Sequence, residues 1–181
     1  YAKENQVPII CDEGLDFLLK AIKENQVGSV LEIGTAIGYS ALMMRELGCS
    51  VDTFERNEKM IKTAKGFLNI YDTDHKIHLI ESDALIFDKE LKTYDLIFID
   101  AAKAQYKKFF DKFEKYLNPN GMIVCDNLAF HHLDKTKVNR NTRQLLIKLE
   151  MFIEYLKHHE VYETTFYNVG DGMSISRKKK L

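Results

Sequence analysis

A chain of 181 residues is enough for one domain with a sizeable core and too short for two. Its 45% hydrophobic and 29% charged residues, with 2 Pro and 9 Gly, exclude a disordered, collagenous or low-complexity chain, and a net charge of -1 excludes a globally basic nucleic-acid binder. No apolar run reaches the roughly 18 residues of a membrane span and the first residues lack a signal-peptide plan, so a soluble cytoplasmic protein is expected. The cysteines Cys11, Cys49 and Cys125 are odd in number and far apart, which argues for reduced thiols rather than a disulfide framework or zinc cluster. The chain opens at Tyr1 rather than Met, which points to further sequence upstream.

From residue 28 to residue 127, short apolar runs alternate with amphipathic stretches, the pattern of strand-helix units around a parallel sheet. Strands are expected at 29–34, 50–56, 76–82, 94–100 and 121–127, each rich in β-formers and bounded by Gly, Asp or Asn. Met60, Ile61, Ala64, Phe67 and Leu68 fall at helical spacing, as do Tyr106, Phe109, Phe110, Phe113 and Leu117, so each stretch lays one apolar stripe on the sheet. From residue 139 a long helix carries Leu145, Leu146, Leu149, Phe152, Ile153 and Leu156 on one face. Two further strands then flank Gly170-Asp171-Gly172. The expectation is an α/β doubly wound sheet in one domain over 1–181: five βα units, mostly parallel, closed by a C-terminal antiparallel hairpin. In such sheets ligands bind beyond the carboxyl ends of the strands.

The first strand runs into Gly34-Thr35-Ala36-Ile37-Gly38-Tyr39-Ser40, a glycine-bearing turn that opens a helix. It sits where a dinucleotide fingerprint would but lacks the middle glycine, which disfavours a pyrophosphate cradle and a nicotinamide-dependent oxidoreductase. Glu55 ends the second strand about 20 residues on, where an acid can accept from two ribose hydroxyls. A nucleoside ligand without a diphosphate is one reading; a tight turn plus a solvated Glu is the other.

Asp100 follows one apolar strand, and Asp126-Asn127 follows the next, so three hard oxygen donors gather at neighbouring strand ends. That set suits Mg²⁺, Mn²⁺ or Ca²⁺ rather than zinc. Either Asp alone could merely cap the following turn. Lys103 stands three residues after Asp100, near the start of the next helix.

Val30-Leu31-Glu32-Ile33-Gly34 through Ser40 resembles the S-adenosylmethionine motif of Rossmann-like methyltransferases, with Ser82-Asp83-Ala84 where such enzymes contact adenine. Ile99-Asp100-Ala101-Ala102-Lys103 with Tyr106, then Cys125-Asp126-Asn127, is similar to the metal-dependent O-methyltransferases of catechol and caffeoyl-CoA type. The resemblance spans nearly the whole chain, from Val7-Pro8-Ile9-Ile10 to Val169-Gly170-Asp171-Gly172. Relatives usually carry another helix before Pro8, so part of the substrate mouth is expected to be absent. The resemblance implies S-adenosylmethionine bound by Glu32, Gly34, Gly38, Tyr39, Ser40, Glu55, Asp83, Ala84 and Asp100. It also implies a divalent cation on Asp100, Asp126 and Asn127, and catalysis by Lys103 with Asp100. Within the family, the bacterial tRNA 5-hydroxyuridine methyltransferases look most alike.

Methyl transfer to oxygen needs the acceptor on the methyl axis and deprotonated, tasks that a cation chelating two vicinal oxygens performs. Catechols offer two such oxygens, and so does 5-hydroxyuridine. From His131 to Lys148 the Lys and Arg residues (Lys135, Lys137, Arg140, Arg143, Lys148) outnumber Asp134 by 4, a positive stretch beside the active-site loop. A tRNA anticodon loop is therefore the expected partner, met by Arg140, Arg143 and His131, with a small phenol or a CoA thioester as the alternative. An ordinary solvated helix entrance gives the same charge run. A homodimer is allowed, and a non-catalytic RNA-binding module would leave the gathered oxygens without a purpose.

Overall fold

The computed structural model describes residues 1–129 and 137–180. Strands β1 (Ser29–Ile33), β2 (Ser50–Glu55), β3 (Ile77–Glu81), β4 (Tyr94–Ile99), β5 (Leu117–Cys125), β6 (Tyr162–Tyr167) and β7 (Met173–Lys178) form one sheet in the order β3-β2-β1-β4-β5-β7-β6. The pairs from β3 to β5 are parallel, and β7 runs antiparallel between β5 and β6. This is the expected α/β sheet, with the last strand inserted inside the hairpin's edge rather than added outside it. β1 lies between β2 and β4, so chain connections leave it in opposite directions and open a crevice at the carboxyl edge.

Helices α1 (Asp12–Glu24), α2 (Tyr39–Glu46), α3 (Glu58–Tyr71), α4 (Tyr106–Phe113) and α5 (Arg140–Lys157) complete the fold. Leu96 to Ile99 of β4 are all fully buried, because one face packs with Leu18, Ile22 and Met44 of α1 and α2 and the other with Phe110 and Phe152 of α4 and α5. A central parallel strand covered on both faces reads as a continuous apolar run for that reason. Asn57 and Asn139 cap α3 and α5 by accepting from backbone N–H groups of the first turn.

One helix was not foreseen, and two expectations are corrected. Helix α1 lies ahead of the first strand and buries Leu15, Leu18, Ala21 and Ile22, a stripe the alternation pattern beginning at residue 28 does not include. Between β3 and β4 no helix forms, so the units number fewer than five. Residues 82–93 instead make turns: Asp83 Oδ1 accepts from Leu85 N at 2.8 Å, and Lys112 Nζ of α4 donates to the carbonyls of Leu85 and Phe87 at 2.8 and 2.6 Å. These bonds supply partners that a helix would otherwise provide. Strand β5 also starts at Leu117, ahead of the expected 121. Among the described residues no helix is long and apolar enough to cross a membrane.

Candidate functional site

At the carboxyl end of β1 the chain turns at Gly34, whose φ is +110° and where a Cβ would lie 2.0 Å from the Asp100 carbonyl oxygen. Only glycine lets these two strand ends touch. Asp100 N donates to Ile33 O at 3.0 Å, and Gly34 N and Thr35 N both donate to Phe54 O, so the ends of β1, β2 and β4 are tied together. Gly38, at φ +86°, precedes α2 and faces Leu68 and Ala64 of α3.

Beneath the turn, Glu32 is fully buried. Ser40 Oγ donates to its Oε1, and Thr53 Oγ1 donates to its Oε2 at 2.5 Å. Thr35 and Thr53 share a further hydroxyl contact of 2.6 Å. Burial pushes the Glu32 carboxyl up to about 7, against the lowering effect of the Ser40 and Thr53 hydrogen bonds.

Above the turn lies a cavity of about 430 Å³, lined by Gly34, Tyr39, Ser40, Glu55, Asp83, Ala84, Asp100, Lys103 and Asn127 among others. Those expected site residues therefore converge. Glu32, Gly38 and Asp126 do not line it: Glu32 is enclosed by Ser40 and Thr53, Gly38 serves the backbone entry to α2, and Asp126 is buried behind the lining. Glu55 is held by three backbone donors, Ala36 N on Oε2 and Arg56 N and Asn57 N on Oε1, each at 2.9 Å. That leaves acceptor capacity on Oε2. Sequence reasoning missed Arg56, whose Nη1 donates to Asp83 Oδ2 at 2.7 Å beside the cavity. The Leu85 N–H and then the Arg56 guanidinium hold the Asp83 carboxyl below its usual range, although a pair whose arginine is 67% exposed adds little stability. Pro8, Ile9 and Ile10 also line the cavity, and their apolar run before α1 was the available signal.

The oxygen donors gather as expected. Asp126 is 1% exposed; its Oδ1 accepts from Asn127 N at 2.6 Å and its Oδ2 has no partner among the described residues. Asn127 adopts φ +62° and its Nδ2 donates to Asp100 Oδ1 at 2.8 Å. Tyr106 donates its hydroxyl proton to the Asp126 carbonyl at 3.0 Å, fixing the strand end against α4. Burial, and then the nearby Asp126 charge, push Asp100 up to about 7, while burial pushes Asp126 up to about 6. The Lys103 charge opposes both shifts, from the first residue of a 3-10 turn (Lys103–Gln105) ahead of α4. The buried Asp126 with its orphaned oxygen, the half-buried Asp100 and the Asn127 amide offer the hard donors a divalent cation takes. Among the described residues no group of three or more His, Cys, Asp or Glu that could hold a metal ion gathers; beside Asp100 stands the Asn127 amide instead.

Arg140 and Arg143 are exposed on the first turn of α5, which packs against the Lys103 turn, but neither lines the cavity. His131 lies outside the described residues, as do Phe130, His132 and Lys135.

A seven-stranded sheet with one reversed strand, opening at its carboxyl edge on this cavity, defines the class of Rossmann-like methyltransferases. Within it, the model of the O-methyltransferase family matches residues 2–179, and the chain belongs to that family. It is similar to a solved Staphylococcus aureus protein assigned as a caffeoyl-CoA O-methyltransferase, at 40% identity and a TM-score of 0.90 over 98% of this chain and 88% of that one. It is 39% identical to the O-methyltransferase ankF of Aspergillus thermomutatus over 168 residues, 83% of this chain and 70% of the relative. The caffeoyl-CoA O-methyltransferase of Populus kitakamiensis is 24% identical over 192 residues, 98% of this chain and 81% of the relative.

Proposed function

We propose that the chain moves a methyl group from S-adenosylmethionine to a hydroxyl chelated by a divalent cation. One observation carries this: the strand-end acid Glu55 and the Asp100–Asn127 pair meet in a single cavity across the Gly34 turn, with the buried Asp126 bonded to the Asn127 backbone. Glu55 Oε2 suits a ribose hydroxyl donor, Asp83 and Ala84 flank the base, and Tyr39 and Ser40 at the start of α2 offer a helix N-terminus to the carboxylate of the methionine end. Held by Asp100, Asp126 and Asn127, Mg²⁺, Mn²⁺ or Ca²⁺ would supply chelation of two vicinal acceptor oxygens and a lowered hydroxyl pKa. Lys103 lines the same cavity, and in its neutral form would take the acceptor's proton.

The acceptor we assign first is 5-hydroxyuridine of a tRNA anticodon loop, giving 5-methoxyuridine, because exposed Arg140 and Arg143 present positive charge on the helix packed against Lys103. A small catechol or hydroxycinnamoyl-CoA-like phenol is the second reading, favoured by the names of the Staphylococcus and Populus relatives. Labelled S-adenosylmethionine offered with both acceptor classes tests this. Transfer to the tRNA is expected, lost in EDTA and restored by Mn²⁺, and replacing Arg140 and Arg143 together should flatten the salt slope of RNA binding by roughly 1 to 2 units. Transfer to catechol or a CoA thioester alone would overturn the tRNA assignment, and full activity of Asp126→Ala in chelator would overturn the cation.

A further inference from the structure

The hairpin between β6 and β7 turns at Gly170-Asp171-Gly172, and its tip is clipped to the two residues that follow Asn127. Leu128 N donates to Gly172 O at 2.9 Å and Ala129 N donates to Asp171 O at 2.8 Å. Both glycines are left-handed, at φ +53° and +82°. A Cβ on Gly172 would lie 2.4 Å from Ala129 N, and one on Gly170 would lie 2.6 Å from Cys11 Sγ. Gly170 N also donates to Glu13 Oε2 at 3.3 Å, so the tip is pinned from the α1 side as well. Between two positions that admit no side chain stands Asp171, exposed. Among the described residues its carboxylate has no hydrogen-bond or ion-pair partner.

Leu128 and Ala129 directly follow Asn127, so the clip holds the Asp171 backbone beside the strand end that carries Asp126 and Asn127. Among the described residues the enclosed Asp126 Oδ2 has no partner either, so the ligand set proposed above has an acceptor to spare. Carboxylates outside the inner ligands of a metal commonly act on it through water.

Resting on the cation reading given above, we propose that Asp171 is a positioning residue of the divalent site, an outer carboxylate that strengthens cation binding at Asp100, Asp126 and Asn127 without joining the inner ligands. Mn²⁺ titration of the whole chain, followed by calorimetry and by electron paramagnetic resonance with no cofactor present, tests it. Asp171→Asn should weaken Mn²⁺ binding roughly five- to tenfold, the effect of removing one charge near a dication at the protein surface. The difference should shrink in high salt. Asp171→Glu should restore most of the affinity, while the thermal midpoint and the affinity for S-adenosylmethionine stay at the wild-type values. Unchanged Mn²⁺ affinity in a folded Asp171→Asn variant would overturn the proposal. A loss as deep as that of Asp126→Asn would overturn it too, by making Asp171 an inner ligand. If the wild-type chain takes up no Mn²⁺, the cation reading itself fails before Asp171 is at issue.

Discussion

Replacing Glu32 with Gln should remove a pH-dependent cost built in beneath the Gly34 turn. The carboxyl is fully buried and its pKa is pushed from 4.5 to about 7 by burial. Below pH 4.5 the group is protonated whether the chain is folded or not, and it contributes nothing to the balance. As pH rises from there, the unfolded chain releases its proton while the folded chain retains it, so stability falls. Above about pH 7 both states are ionised and the full cost is in place: about 2.5 pH units at roughly 1.4 kcal/mol each, which is on the order of 3 kcal/mol for a buried group. Glutamine has the same shape, and the Ser40 and Thr53 hydroxyls that donate to Glu32 can rotate to meet its amide. Urea denaturation of both proteins in chelator, at steps from about pH 4 to about pH 8, gives the difference directly, and Asp100 and Asp126 titrate in both and largely cancel. The variant should gain about 3 kcal/mol on the wild type across that range. A flat difference would refute the burial argument, because it would mean that water or a positive charge reaches Glu32.

Gly34→Ala should cost about 3 kcal/mol or more in the same assay, since its methyl would enter the Asp100 carbonyl from a left-handed backbone; wild-type stability would show that the two strand ends are not in contact. Glu55→Ala should weaken S-adenosylmethionine binding in calorimetry by about 1 to 3 kcal/mol, the worth of hydrogen bonds to a charged group, and an unchanged affinity would remove Glu55 from the ribose. Lys103→Met should lower kcat while leaving cofactor affinity nearly as it was; a rate that never falls would return Lys103 to the ordinary surface lysines.

The strands were legible because each is a short apolar run between Gly, Asp or Asn, and the acids that close them could be read as a set. What the sequence hid depends on neighbours distant along the chain. Glu32 and Glu55 both look like strand-end acids, yet the register pairing Glu32 with Thr53 encloses one and leaves the other on the cavity. The β3–β4 connection has enough apolar residues for a helix, and what satisfies its carbonyls is Lys112, more than twenty residues away. The Arg56–Asp83 contact exists only because β2 and β3 are adjacent. In α1, Leu15, Leu18 and Ile22 keep helical spacing, but Phe17 and Leu19 blur the stripe.

The reversed strand β7 has a consequence for biosynthesis. It occupies the slot between β5 and β6, both of which leave the ribosome before it. Until residues 173–178 are translated, β5 carries an open row of peptide groups along its most apolar stretch, an invitation to pair with another nascent chain. The hairpin tip that meets Leu128 and Ala129 is likewise anchored only when this strand docks. A ribosome stalled anywhere before that point would hold a chain with β1, β2 and β4 able to pair and the Leu128–Ala129 turn still unbraced, so β5 is most open to a wrong partner in the interval before residues 173–178 emerge.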